Sequence, residues 1–388
     1  MVFVGAVLFA VGLAVLVARR FGAPLPFVLV ATGVALGVVG VKWPILAPTF
    51  GLSHEVMFGV LLPPLLFESA YALPGEELRR HWKLSFLLAG PGVIVAAGLA
   101  TVGAWLLLRA LGEEVPLGTL ALLGAVLSAT DPVAVVAILR RSRAPLSVRA
   151  VLDAESLLND GTAVVLLRAT VAGITGRIAW LEVLRRATWE VGAGVLFGWG
   201  LAWIAAKVAA RVRGSAVALS LVLAYGAFHA AEAAQASGLF AALVAGFVFA
   251  RDGGRSRAFD EAWGAIVFAA NAVLFLLVGI TLDVRGARHE ALAVGAVWLA
   301  LLGARAVLVE GAGAAVRRKG AAGFAPWTRA ALVAGGLRGG LSLALALDLG
   351  DARVVALTSG VVLLTLVFQG GFFFVVRPRW VRIPPAGS

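Results

Sequence analysis

Leu127-Ser128-Ala129-Thr130-Asp131-Pro132-Val133 puts a carboxylate beside a proline in the middle of an apolar stretch that runs from about 117 to 139. Pro132 has no N–H and clashes with the preceding turn, so a helix breaks here. The residue before a proline is pushed towards extended geometry. Asp131 then stands where it can cap a half-helix that begins at Pro132. The break also takes the Thr130 carbonyl out of the helical ladder, and carbonyls at broken helices are ready cation ligands. A plain proline kink is the blander reading, but a buried aspartate is a costly way to make one.

The surroundings of that stretch are those of a membrane protein. The 388 residues are 61% hydrophobic and 14% charged, where soluble domains hold about 45–50% apolar and about 25% charged residues. Apolar runs of about 18 residues or more recur, long enough for a hydrocarbon core about 30 Å thick. Segmentation gives about thirteen spans: 2–18, 26–41, 54–71, 84–108, 117–139, 148–170, 187–209, 215–232, 236–250, 262–282, 290–316, 326–348 and 354–376. With the N-terminus outside, twenty-two Lys and Arg residues fall in loops on the cytoplasmic side and eight on the other. Arg168, Arg305 and Arg338 fall inside spans. This asymmetry orients the chain in the inner membrane with its C-terminus cytoplasmic. It also accounts for the net charge of +12 without a nucleic acid partner. The first span lacks a basic leading region and a small-residue cleavage site, so it reads as a retained helix. No loop is long enough for a soluble domain, and no regulatory domain is expected after the last span. Without cysteine there is no disulfide framework or thiol site.

Three further spans break the apolar pattern, and ionisable groups are costly in a bilayer and mark function by default. Span 6 reads Asp153-Ala154-Glu155-Ser156-Leu157-Leu158-Asn159-Asp160-Gly161. On a helix Glu155 and Asn159 lie one turn apart, as do Ser156 and Asp160. One side of this helix therefore offers a dense group of oxygens, the ligand type of hard cations. No Cys or His stands near, so a transition-metal site is not expected. Span 11 carries Arg305, which needs a partner because it keeps its proton. Span 12 carries Gly335-Gly336-Leu337-Arg338-Gly339-Gly340, a second expected break; a snorkelling arginine near the span end is the plainer reading of Arg338. Two broken spans in corresponding halves are the mark of an inverted-repeat transporter with its site near the midplane.

Ser128-Ala129-Thr130-Asp131-Pro132-Val133-Ala134-Val135 and Glu155-Ser156-Leu157-Leu158-Asn159-Asp160 resemble the two signature helices of monovalent cation/proton antiporters of the NhaP/NHE branch. Leu61-Leu62-Pro63-Pro64-Leu65-Leu66-Phe67-Glu68 and Gly335-Gly336-Leu337-Arg338-Gly339 resemble two further stretches of that family, so four motifs follow in order over nearly the whole membrane region. The resemblance implies an all-α polytopic fold of about thirteen transmembrane helices, two inverted repeats with crossed discontinuous helices, and a homodimer. It implies a transporting core at about 84–170 and 290–376 and a dimerisation side at about 1–71 and 187–282. It implies that Asp160 binds the ion and the proton, with Asp131 beside it, Thr130 and Ser156 as further oxygen donors to sodium, and Asn159 next to them. It further implies an ion pair of Glu155 with the arginine of span 11, Arg305; Arg338 is the other candidate. Glu68 has no role beyond structure or surface that the sequence supports. No cofactor is expected.

The expected activity is sodium/proton exchange by alternating access. Burial disfavours a charged carboxylate and sodium stabilises it, so the two cations compete for Asp160. In the electrogenic branch of the family a second aspartate stands at the Asn159 position and a titratable lysine at the Arg305 position. An amide and a permanently charged guanidinium there point to electroneutral, one-for-one exchange. A potassium/proton antiporter on the same fold is the nearest rival, and lithium is a further candidate substrate. An intramembrane enzyme would need a nucleophile–base pair or a metal site. The only histidines, His54, His81, His229 and His289, sit at span ends, in loops or without a serine motif beside them.

Overall fold

The computed structural model describes residues 2–42, 53–73, 87, 89–131, 146–176, 180–212, 216–252, 257–318 and 326–372. The helices, in chain order, are α1 (Val2–Phe21), α2 (Leu25–Lys42), α3 (Leu62–Ala72, preceded without a gap by a π-helical stretch, Glu55–Leu61), α4 (Pro91–Ala110) and α5 (Leu117–Val126). There follow α6 (Leu146–Thr175), α7 (Trp180–Arg211), α8 (Ala216–Ala233), α9 (Gly238–Asp252) and α10 (Arg257–Thr281). The remainder are α11 (Val284–His289), α12 (Ala291–Arg318), α13 (Pro326–Ala334), α14 (Gly340–Asp348) and α15 (Ala352–Leu364, continued by a π-helical stretch, Thr365–Gly370). No strand occurs among the described residues. Eight helices among them are long and apolar enough to cross a membrane, and Leu25–Val39, Leu117–Val126 and Gly238–Arg251 are shorter apolar helices. The fold is therefore an all-α, multi-pass membrane fold.

The chain divides into two compact units. One comprises Met1–Ala14, Leu29–Pro74 and Val164–Thr281; the other comprises Val15–Val28, Gly75–Ala163 and Leu282–Ser388. In the first unit a core of Phe67, Tyr71, Phe249, Phe259 and Trp263 is surrounded by alanines of α7, α8 and α9. Phe67 stacks on Trp263 at 5.0 Å between ring centroids, and the Trp263 indole N–H donates to Ser220 Oγ at 2.9 Å. Helices pack closely here through small residues, as is usual where lipid supplies no hydrophobic drive between them. Gly246 on α9 lies so near α3 that a β-carbon there would run into the Phe67 carbonyl.

The start of α3 shows how a local sequence recruits a neighbour. Pro63 and Pro64 lack the N–H groups that would reach the Gly59 and Val60 carbonyls in an α-helical register. Two side chains one turn apart on α8 take their place. Tyr225 donates its hydroxyl to Val60 O at 2.9 Å. His229 Nε2 lies 3.3 Å from Gly59 O, and since a carbonyl only accepts, that nitrogen carries the proton.

The second unit holds both interrupted spans. Helix α5 stops at Val126, and Leu127 to Asp131 are non-helical. The half-helix expected from Pro132 lies outside the described residues. Span 12 divides into α13 and α14 with residues 335–339 between them. The two interruptions meet: the Asp131 N–H donates to Leu337 O at 2.8 Å.

Candidate functional site

The carbonyls released by the first break do not stay unpartnered. Arg338, projecting from the second break, donates Nη1 to both Ser128 O and Ala129 O, each at 3.1 Å. Ser342 Oγ adds a longer contact to Ala129 O at 3.4 Å. The Arg338 N–H itself is held by Thr365 Oγ1 at 3.3 Å, at the start of the π-helical end of α15. Arg338 is 6% exposed, so it does not snorkel; its charge stays inside and is spread over the carbonyl end of the broken helix. The Thr130 carbonyl, expected to be open to a cation, accepts the Ser156 hydroxyl. A carbonyl oxygen has a second lone pair, so this bond positions Thr130 without exhausting it.

The oxygen-rich side of α6 faces the same break. Asn159 Nδ2 donates to Thr130 Oγ1 and to Glu155 Oε1, each at 3.3 Å. Its Oδ1 is buried without a hydrogen-bond partner. Glu155, 1% exposed, is gripped by Arg305 from α12: Nη1 donates to Oε1 and Nη2 to Oε2, the second at 2.9 Å. Arg305 Nε donates to Leu332 O at 3.0 Å, in the last turn of α13. The guanidinium is thereby paired in the bidentate geometry that makes such bonds strong. A cavity of about 20 Å³ lies among Ser128, Thr130, Glu155, Asn159, Arg305 and Arg338.

Asp131 and Asp160 follow Thr130 and Asn159 in the chain, and both are half-buried. Their carboxylates lie near enough to repel one another. Asp131 is seated against Gly339, the residue that caps the N-terminus of α14. A β-carbon at Gly339 would stand 2.5 Å from Asp131 Oδ2, so only glycine lets the carboxylate approach the positive end of that half-helix. Two neighbouring carboxylates, with the oxygens of Thr130 and Ser156 on the same two segments, are of the donor type that a hard cation takes. Among the described residues no group of three or more His, Cys, Asp and Glu is arranged to hold a metal, so the oxygens of Thr130 and Ser156 would have to complete any coordination.

The pairing of Glu155 with Arg305 is the one expected from the resemblance; the task of Arg338 is the part that the sequence did not foretell. Arg305 serves the carboxylate, and Arg338 serves backbone carbonyls, which carry no signature in a sequence. Arg168, the third in-span arginine, pairs with Glu190 at 3.1 Å and lies 4.0 Å from Glu232. Glu68 is half-buried on α3.

Membrane helices broken beside neighbouring carboxylates, with a buried ion pair alongside, define a secondary transporter of small cations. The model of the transmembrane sodium/hydrogen exchanger family matches residues 5–377. The chain is 31% identical over 382 residues to the Na(+)/H(+) antiporter NhaH of Halobacillus dabanensis, covering 91% of each chain. It is 28% identical over 368 residues to the Na(+)/H(+) antiporter ApNhaP of Aphanothece halophytica, covering 89% of this chain and 68% of the relative. Its fold is similar to that of the sodium proton antiporter MjNhaP1 from Methanocaldococcus jannaschii, with a TM-score of 0.74 over 99% of both chains at 17% identity. The chain belongs to the sodium/hydrogen exchanger family, a family of transporters, and its activity is sodium/proton exchange across a membrane.

Proposed function

We propose that this antiporter exchanges one sodium ion for one proton without moving net charge, with the two cations competing for Asp160. The observation that carries the reading is the charge balance of the second unit's interior. Three carboxylates, Glu155, Asp131 and Asp160, face two permanent cations, Arg305 and Arg338. Glu155 is committed to Arg305, and Arg338 is committed to the carbonyls beside Asp131. One negative charge is left over, shared by the two neighbouring aspartates. One sodium or one proton neutralises it, and a neutralised centre is the form that moves through a low-dielectric barrier at least cost. In this reading sodium is held by Asp160 and Asp131 with oxygens from Thr130 and Ser156, while Asn159 orders Thr130 against Glu155.

The unit that holds these residues serves as the transporting core, and the other forms the dimerisation side of a homodimer. All of the named site residues fall in the one unit, which supports the division; α6 passes from one unit to the other at Val164. The exposed apolar residues of α7, among them Leu196, Trp199 and Trp203, support contact of that side with lipid or a second copy. The protein sits in the cell's inner membrane, N-terminus outside, and contributes to pH homeostasis. Proteoliposomes given a pH jump test the reading, with sodium, lithium and potassium offered separately. Wild type should exchange sodium, and Asp160→Asn should insert normally yet exchange nothing. Retained sodium-driven proton flux in Asp160→Asn overturns the assignment of the site; flux with potassium and none with sodium overturns the choice of ion.

A further inference from the structure

A second small cavity adjoins Arg338. Its volume is about 10 Å³, and Trp298, Arg305, Gly336, Arg338, Thr365 and Gln369 line it. Three of these side chains carry a buried polar atom without a partner: the Trp298 indole Nε1–H, the Arg338 Nε–H and Gln369 Oε1. Arg338 and Gln369 are each 6% exposed, so bulk solvent does not reach them. An orphaned buried donor or acceptor is costly, and three around one cavity make a single shared partner the simplest solution.

We infer that one ordered water occupies this cavity as a structural ligand, accepting from Trp298 Nε1–H and Arg338 Nε–H and donating to Gln369 Oε1. The volume is that of about one water-sized probe, near the lower limit for holding a water. Two donors and one acceptor match the roughly three hydrogen bonds that a buried water makes. The acceptor also discriminates between ligands: Gln369 Oε1 would repel an anion drawn in by the two guanidiniums. The water adds Trp298 of α12 to a junction that the Arg338 N–H and Thr365 Oγ1 already make between the second break and the π-helical end of α15, and ties Gln369 of that end into it. The π register has a consequence here, because a wider turn shifts the phase of every later side chain, and Gln369 lies within that stretch. With its Nε held by the water, Arg338 has a fixed direction in which to present Nη1 to Ser128 O and Ala129 O. The water is thus a positioning element for the broken helix that bears Asp131, and this inference adds to the exchange reading without depending on its stoichiometry.

A high-resolution electron cryomicroscopy map of the wild-type protein in lipid nanodiscs tests it. The expected result is one compact density about 2.7–3.2 Å from all three atoms, absent or displaced in Trp298→Phe. A cavity with no density in wild type, or a Gln369 side chain turned to accept directly from Trp298, overturns the inference. So does a bromide anomalous peak at this position in crystals grown in bromide, which would make the ligand an anion. As a functional readout, Trp298→Phe should raise the apparent sodium KM several-fold with a smaller change in maximal rate. Unchanged sodium KM together with unchanged density in that variant overturns the positioning role.

Discussion

Breaking the Glu155–Arg305 pair isolates one buried charge, and its cost follows from the geometry. Glu155 is 1% exposed and Arg305 9%, and both carboxylate oxygens are engaged by the guanidinium. Removing one member of such a pair costs about 3–5 kcal/mol, because the other is left buried and unpaired. Unfolding entropy scales as about 2.1 cal/mol/K per residue, so for a chain of this length the melting temperature should fall by roughly 4–6 °C. Arg305→Met and Glu155→Gln should each show this drop when tryptophan fluorescence is followed on heating in detergent. The double variant is the discriminating sample. Met replaces the guanidinium with apolar volume and Gln keeps an acceptor for Asn159, so neither leaves a lone charge, and much of the loss should return. Strictly additive losses in the double variant, or single variants that melt with wild type, would refute the view that these two groups exist for one another.

Other consequences follow from the same interior. Gly339→Ala puts a β-carbon against the Asp131 carboxylate; it should lower sodium-dependent proton flux at least tenfold while size-exclusion profiles stay native, and wild-type flux would show that the close approach is dispensable. Under an imposed potential of 100 mV a cycle moving one net charge is biased by about 2.3 kcal/mol, so exchange that is insensitive to a lipophilic-ion potential supports one-for-one stoichiometry, and clear voltage dependence assigns a second titrating group to the cycle. Proton and sodium competing for one carboxylate should raise the apparent sodium KM as pH falls, by up to about tenfold per pH unit on the acid side of its titration; a KM independent of pH, with only the maximal rate changing, contradicts a shared site. Asp131→Asn should leave weak exchange, since Asp160 remains to take the cation, and full activity would remove Asp131 from the site.

Much of the fold was legible because its departures from regular helix are written in residue type. A proline after Asp131 and glycines flanking Arg338 cannot continue an apolar helix undisturbed, and the structure interrupts both spans at those places. The oxygen-rich side of α6 was legible from helical spacing alone. The residues alone narrow the partner of Glu155 to two arginines, since both are permanently charged and both lie within spans; the resemblance favours Arg305, and the structure pairs it. What distinguishes them is the backbone around each: Arg338 faces carbonyls stripped of their donors, and Arg305 faces a carboxylate and one carbonyl of α13. Carbonyls belong to every residue, so no pattern announces them. The same holds for Trp298 and Gln369, two residues of apolar spans with no motif around them, which meet at the cavity beside Arg338.

The two prolines at the head of α3 make the continuity of one helix depend on another. Had residues 63 and 64 kept their N–H groups, α3 would need nothing from outside itself. Instead its Gly59 and Val60 carbonyls are completed by Tyr225 and His229, whose spacing is one turn of α8. Two fastenings spaced along an axis resist sliding and twisting together, where a single one would act as a pivot. Helices α3 and α8 therefore behave as a braced strut, and whatever rearrangement accompanies transport must be taken up at joints elsewhere in the chain.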